Sequence, residues 1–261
     1  MPKNLFHYTS QTGLLGMIEN KEIWATNISY LNDLKEFQHT IELIREIIGN
    51  EIKKGIIDSD LSSLFEEVVK TTFQNLTIFV ASFSEEGDLL SQWRGYCGDG
   101  VGYSIGIYSD ILNEIALANN LILTKCLYKV DEQVNELQTY FKWIIQTTNN
   151  HEGIVAYLLQ MLVTTAPRFK DKAFSEEKEW RIVGNISDLS KVHFRPGKST
   201  LVPFVKIPLI SNSNNCMNIS KLFIGPSPDA VLAKQAIHIL CVKHLVNCSN
   251  VEVSKAPFKN W

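Results

Sequence analysis

The sequence predicts an α+β fold, with mixed, mainly antiparallel sheets and flanking helices, and three observations carry that reading. Segments with strand and helix periodicity follow one another in no regular βαβ order. No G-x-G-x-x-G follows a predicted strand, which argues against a dinucleotide-binding parallel sheet. No internal repeat or low-complexity stretch interrupts the chain, and 261 residues suffice for one large core. A single domain over residues 1–261 is expected, with a helical insertion at about 131–165.

Each element has its own signal. LFHYTS reads as a short strand, and QTGLLGMIENKEIWATN as a short helix running into a second strand around Ile23 and Ala25. Asn32 and Asp33 are suited to cap the next helix, whose Phe37, Ile41, Ile44 and Ile48 make one buried stripe. A helix from Asp60 to about Phe73 turns Leu61, Leu64, Phe65, Val68 and Val69 to the core. The β-forming run LTIFVASFS predicts a buried strand ending near Ser84, and Asp88 then opens a short helix with Trp93 and Tyr96. In VGYSIGI, Val101, Tyr103, Ile105 and Ile107 share one face of a strand. Further strands are expected at LTKCLYKV, EEKEWRIV, TLVPFVKIPLI, KLFIGP and NVEVSKA, with helices at 131–165 and 229–247, the latter started by Ser227-Pro228-Asp229. Residues 184–200 and 210–220, rich in Asn, Ser, Lys and Gly, are expected to form loops.

Composition narrows the function classes. The chain is 45% hydrophobic and 20% charged, the balance of a globular protein, and its formal net charge of -3 supplies no basic field for general nucleic-acid binding. The opening residues carry no apolar run of signal-peptide length, and no stretch of about 18 uncharged apolar residues occurs, so a cytoplasmic protein without membrane partners is expected. Cys97, Cys126, Cys216, Cys241 and Cys248 include no C-x-x-C pair and read as reduced, mostly buried thiols, with Cys97 structural.

Three segments hold residues suited to chemistry. His7-Tyr8-Thr9-Ser10 ends the first strand with an imidazole and hydroxyls that suit a polar ligand, although a hydrogen-bonded His followed by a helix cap has the same letters. Strand period puts Ser82 and Ser84 on one face, opposite Phe83, and helix period brings Trp93 and Tyr96 together, as plain packing would too. In Glu176 to Val183, read as a strand, Glu177, Glu179 and Arg181 point one way and Lys178, Trp180 and Ile182 the other. A solvated sheet edge fits those letters, but Glu179 enters a hydrophobic run, which favours function. His238, Cys241, His244 and Cys248 have helical spacing that can chelate a metal, yet they lack a loop-borne partner pair, so no metal is expected. Asp33, Glu36 and Glu177 are too dispersed to read as a metal-binding carboxylate cluster for phosphoester hydrolysis.

Taken together, LFHYTS, LNDLKEF, SFSEEGDLLSQWRGYCGDGVGYSIGI and EEKEWRIV resemble a bacterial family known as domain of unknown function 2971. Leu34 stands where that family's Asn-Asp-Pro-x-Glu pattern has proline, and Leu90-Ser91-Gln92-Trp93 departs from its Leu-Met-Trp form. The motif order in turn resembles the ADP-ribosyltransferase superfamily. That resemblance implies NAD as substrate, bound by His7 with Tyr8 and Thr9, by Ser82 and Ser84, and by Trp93 and Tyr96, with Glu179 as the central carboxylate and Glu177 serving an acceptor.

What the resemblance implies is therefore an NAD-dependent ADP-ribosyltransferase or NAD glycohydrolase, acting on an unnamed macromolecular acceptor or on water, as a toxin or phage-defence effector. Cleaving the bond between nicotinamide and ribose builds positive charge on the sugar, which a nearby carboxylate stabilises. The alternative is a non-catalytic module that binds a nucleotide or a protein in the same cleft. No motif in the chain specifies an oligomeric state.

Overall fold

The computed structural model describes residues 1–31, 34–74, 77–96, 101–148, 150–210, 216–248 and 250–257. The proposed caps Asn32 and Asp33, and Cys97, lie outside those residues.

β1 (Asn4–Thr9) passes straight into α1 (Gln11–Asn20), because the Ser10 hydroxyl accepts from the Gly13 amide at 3.2 Å and so caps the first turn. Lys21 ends the helix in the left-handed region, at φ 53°, and sends the chain into β2 (Glu22–Asn27). α2 (Leu34–Lys53) and α3 (Asp60–Gln74) follow, with Phe37, Ile41, Ile44, Ile48, Leu61, Phe65 and Val69 buried as helical period predicts. Next come β3 (Ile78–Ser84), α4 (Leu90–Tyr96), β4 (Tyr103–Tyr108), α5 (Ser109–Ala118) and β5 (Ile122–Lys125). Two long helices, α6 (Val130–Thr147) and α7 (His151–Thr165), lead through 3₁₀ turns to β6 (Glu179–Asn185). The chain closes with β7 (Val192–Pro196), β8 (Leu201–Pro208), β9 (Asn218–Ile219), β10 (Lys221–Ile224), α8 (Ala230–Lys243), β11 (Asn247–Cys248) and β12 (Val251–Val253).

Ten of these strands form one sheet, ordered β12-β10-β4-β1-β3-β2-β8-β7, with β6 and β5 branching from β3. Every pairing in it is antiparallel except β10 with β12, and the short β9–β11 pair stands apart. The fold is α+β. β3 explains the branch. One of its edges carries β6 along the whole strand, from Ile78↔Asn185 to Ser84↔Glu179. Its other edge is divided, with β2 at the start (Thr26↔Val80) and β1 only at the end (Phe6↔Ser84).

Strand alternation sorts the core into two layers. Phe79, Ala81 and Phe83 of β3 join Ile105, Ile182 and Ile207 under α1, α5 and α8. Ile78 and Val80 face the other way, with Val183, beneath α2, α3, α6 and α7. Ser82 and Ser84 continue that second face past the end of the apolar layer, so polar side chains occupy it there.

Several expectations need correction. The late strand starts at Glu179, not Glu176: residues Lys172–Glu177 form a 3₁₀ turn, and Lys178 adopts φ 44°, which a strand does not tolerate. Glu177 is therefore off the strand. Residues 184–200 are not all loop, because β7 pairs with β8 from Val192↔Val205 to Pro196↔Leu201, and β9 falls in the second expected loop. α5 was not anticipated, and β5 stops at Lys125, short of the expected LTKCLYKV strand, whose Val130 opens α6. α4 begins at Leu90 rather than Asp88, since the Asp88 carboxylate is turned to the Trp93 indole at 2.7 Å. No helix among the described residues is long and apolar enough to cross a membrane.

Candidate functional site

The fork in the sheet places the predicted residues. Ser82 lies on β3 between the stretches held by β2 and β1, and the His7 side chain supplies the missing partner, with Nδ1 2.9 Å from the Ser82 carbonyl oxygen. A carbonyl only accepts, so Nδ1 carries the proton and Nε2 is left as an acceptor. Burial pushes the His7 pKa down, against the opposing effect of that hydrogen bond, and the ring is neutral at physiological pH.

Ser82 pairs with Arg181 across the β3–β6 ladder, and Ser84 with Glu179. The Ser84 hydroxyl donates to the Glu177 carbonyl at 2.6 Å and accepts from the Glu86 amide at 3.0 Å, which pins the 3₁₀ turn against the strand end. Tyr8 does the same for the following loop: its hydroxyl donates to the Glu86 carbonyl at 2.7 Å and accepts from the Leu89 amide at 2.9 Å. Its pKa rises, chiefly through burial.

At the centre sits a four-membered charge cluster. Glu179 is 5% exposed, and its Oε1 accepts from Arg181 Nε at 2.8 Å while Oε2 accepts from Arg181 Nη2 at 3.1 Å and from Lys170 Nζ at 2.7 Å. Lys170 also reaches Glu177 Oε2 at 2.9 Å, and Arg181 donates to the Pro167 carbonyl at 2.6 Å. Burial disfavours the Glu179 carboxylate, but Arg181 and Lys170 outweigh it and hold its pKa down to about 2. Burial likewise opposes the charge on Lys170, yet Glu179 keeps its pKa above the ordinary lysine value. Two carboxylates and two cations leave the cluster with no net charge.

His7, Tyr8, Ser82, Ser84, Tyr96, Glu177 and Glu179 all line one cleft of about 30 Å³, whose wall is completed by Phe6, Phe83 and Gln92. Such a volume holds one or two waters. Tyr96 stands half exposed, and the crowding of its hydroxyl end, followed by the negative charges of Glu179 and Glu177, raises its pKa. Two predicted ligand residues lie elsewhere. Trp93 is fully buried, edge-on to Tyr8 with ring centroids 4.8 Å apart, and presents no surface to a ligand. The Thr9 hydroxyl packs over Gly13, where an added Cβ would meet it at 1.9 Å.

Sequence reading missed Gln92, Lys170 and Tyr128, whose hydroxyl accepts from the Glu179 amide at 2.7 Å. Gln92 was visible next to Trp93, one helical turn before Tyr96. Nothing local marks Lys170 or Tyr128, because Tyr128 lies between β5 and α6 and Lys170 between α7 and β6, and it is the Leu127↔Phe169 bridge that brings the two segments together. The proposed helical metal pattern is also broken, since α8 ends at Lys243 and Cys248 sits on β11. Among the described residues no group of three or more His, Cys, Asp or Glu side chains is gathered to hold a metal.

No curated protein and no solved structure matches the chain. Residues 92–182, which carry Gln92, Tyr96, Lys170, Glu177, Glu179 and Arg181, match the family model described as Protein of unknown function (DUF2971), and over that stretch the chain is similar to that family.

Proposed function

We propose that this protein consumes NAD, cleaving the bond between nicotinamide and ribose and passing ADP-ribose to a macromolecular acceptor or to water, in the service of a toxin or phage-defence role. One observation carries the reading: a carboxylate held ionised, Glu179, and a neutral acceptor, His7 Nε2, line the same cleft. The motif order that resembles ADP-ribosyltransferases supports it further.

In this reading His7 Nε2 accepts a hydrogen bond from a ribose hydroxyl or carboxamide N–H, and Tyr96 stacks on the nicotinamide ring. As the glycosidic bond breaks, positive charge on the sugar is met by the carboxylates, which need no reorganisation because Lys170 and Arg181 already hold them. Glu177 is the more available of the two. It lies nearer solvent than Glu179, and Lys170 engages its Oε2, so Oε1 suits an acceptor nucleophile or water. A cleft of about 30 Å³ does not admit nicotinamide as it stands, so entry requires α4 and Tyr96 to swing outward.

That small volume, and the engagement of both Glu179 oxygens, favour a second reading in which the cleft senses a nucleotide or a protein without chemistry. Nicotinamide release from NAD by the purified protein, with and without a lysate supplying acceptors, decides between them. Release by wild type and its loss in Glu177→Gln support the enzyme. Calorimetric binding of NAD without any release supports the sensing module, and neither release nor binding removes the enzyme and the sensing of NAD alike.

A further inference from the structure

We propose that Cys241 and Cys248 form a redox-active dithiol, a modification site at which hydrogen peroxide converts the two thiols to an intramolecular disulfide. The pair lies on the last turn of α8 and on β11, and it stands whatever the cleft at the fork of the sheet binds.

The fold brings the two sulfurs together within a short stretch of chain. α8 ends at Lys243, Leu245 turns the backbone through φ 53°, and the Val246 amide donates to the Cys241 carbonyl at 2.9 Å. The chain thus doubles back onto the end of the helix. β11 then runs in contact with α8, held there by its parallel pairing with β9. Cys241 and Val246 are buried in the same apolar layer, and Cys248 packs against that layer from β11. There its thiol meets that of Cys241, and the two sulfurs share a hydrogen bond.

That contact divides the roles. The Cys248 thiol donates to the Cys241 sulfur, which favours the Cys241 thiolate and draws its pKa below the ordinary cysteine value, against the opposing effect of burial. The same bond, and burial after it, push the Cys248 thiol up. Cys241 is therefore the nucleophile, and Cys248, the more exposed of the two, is the resolving thiol. In the first step the Cys241 thiolate attacks one peroxide oxygen, an S–O bond forms, the O–O bond breaks, and the departing hydroxide takes a proton and leaves as water. In the second, Cys248 attacks the Cys241 sulfur while its own proton passes to the hydroxyl there. The S–S bond forms, the S–O bond breaks, and a second water leaves. Two thiols lose two electrons, and one peroxide is reduced to two waters.

A third thiol lies close by. Cys216 donates to the Leu245 carbonyl at 3.1 Å, which holds it to the backbone of the same turn and makes it an internal control.

Intact-protein mass spectrometry after a modest excess of hydrogen peroxide, with peptide mapping, tests the site. Wild type is expected to lose two hydrogens, to carry a Cys241–Cys248 link and to regain its mass with dithiothreitol, and Cys216→Ser is expected to do the same. Cys248→Ser lacks the resolving thiol, so dimedone is expected to label Cys241 at least roughly ten-fold more in that variant than in wild type. A wild-type mass that peroxide leaves without such a loss overturns the proposal, as does a link between any other two cysteines. Loss of the link in Cys216→Ser, or labelling of Cys241 no greater in Cys248→Ser than in wild type, overturns it too. The wild-type measurement needs no substitution and decides the matter should a variant not fold.

Discussion

Arg181 reaches back two positions along its own strand and grips Glu179 with two nitrogens, Nε 2.8 Å from Oε1 and Nη2 3.1 Å from Oε2. Both side chains are almost wholly buried, so the bond between them is a condition of the fold as well as a feature of the site. Removing one member of such a buried pair leaves the other charge uncompensated, which costs about 3–5 kcal/mol. Glu179→Gln is therefore expected to lower stability strongly, measured as a fall in the urea midpoint. Glu177→Gln, which leaves the bidentate pair intact, should cost about 1 kcal/mol. Equal losses in the two variants would show that the bidentate pair is not the keystone.

Acid should undo the same pair. The Glu179 pKa is held at about 2 against an ordinary 4.5, so its contribution is complete above about pH 4.5 and is lost as pH falls toward 2. The stabilisation involved is on the order of 3 kcal/mol. Denaturant titrations at a series of pH values through that window should show a steep loss in wild type and a shallower one in Glu179→Gln. Parallel slopes would mean that other carboxylates dominate acid unfolding.

His7 acts in a higher window. Its folded pKa lies below the ordinary 6.5, so the unfolded chain takes up a proton that the folded one refuses, and stability declines as pH drops below 6.5. His7→Gln places an amide donor where Nδ1–H stood, and it does not titrate. The variant should show no decline between about pH 7 and pH 5.5, while wild type does. If NAD binds in this cleft, the same substitution also weakens its binding more than it slows any chemical step.

Gly106 is a packing test. A Cβ there would stand 2.6 Å from the Phe6 ring and 3.0 Å from the Lys221 carbonyl. β4 is paired with β1 on one side and β10 on the other, so its backbone has no direction in which to retreat. Gly106→Ala should cost about 1–3 kcal/mol, read by thermal denaturation, and Phe6→Leu in the same chain should recover part of the loss. A neutral Gly106→Ala would mean that the ring turns aside freely.

Much of this architecture was legible along the chain. Period 3.6 picked out Phe37, Ile41, Ile44 and Ile48 as one buried stripe, and period 2 put Ser82 and Ser84 on a common face. Chemistry-bearing letters at strand ends led to seven residues that now line one cleft. Trp93 was misread as a ligand residue because an aromatic ring at helical spacing looks the same whether it faces a ligand or the core. Only burial tells them apart, and Trp93 is fully buried.

Which residues share a helix stripe or a strand face can be read along the chain, because backbone geometry repeats that relation locally wherever the element forms. Long-range pairing, in contrast, divides one edge of β3 between β1 and β2, brings His7 to the carbonyl of Ser82, and lets Lys170 bridge Glu177 and Glu179. The left-handed turn at Lys178 takes Glu177 off the strand. Contacts of this kind depend on strand register and on how long loops close. Residues 7 and 82 are brought together across 75 positions by the pairing of whole strands, and no local period in the chain records that.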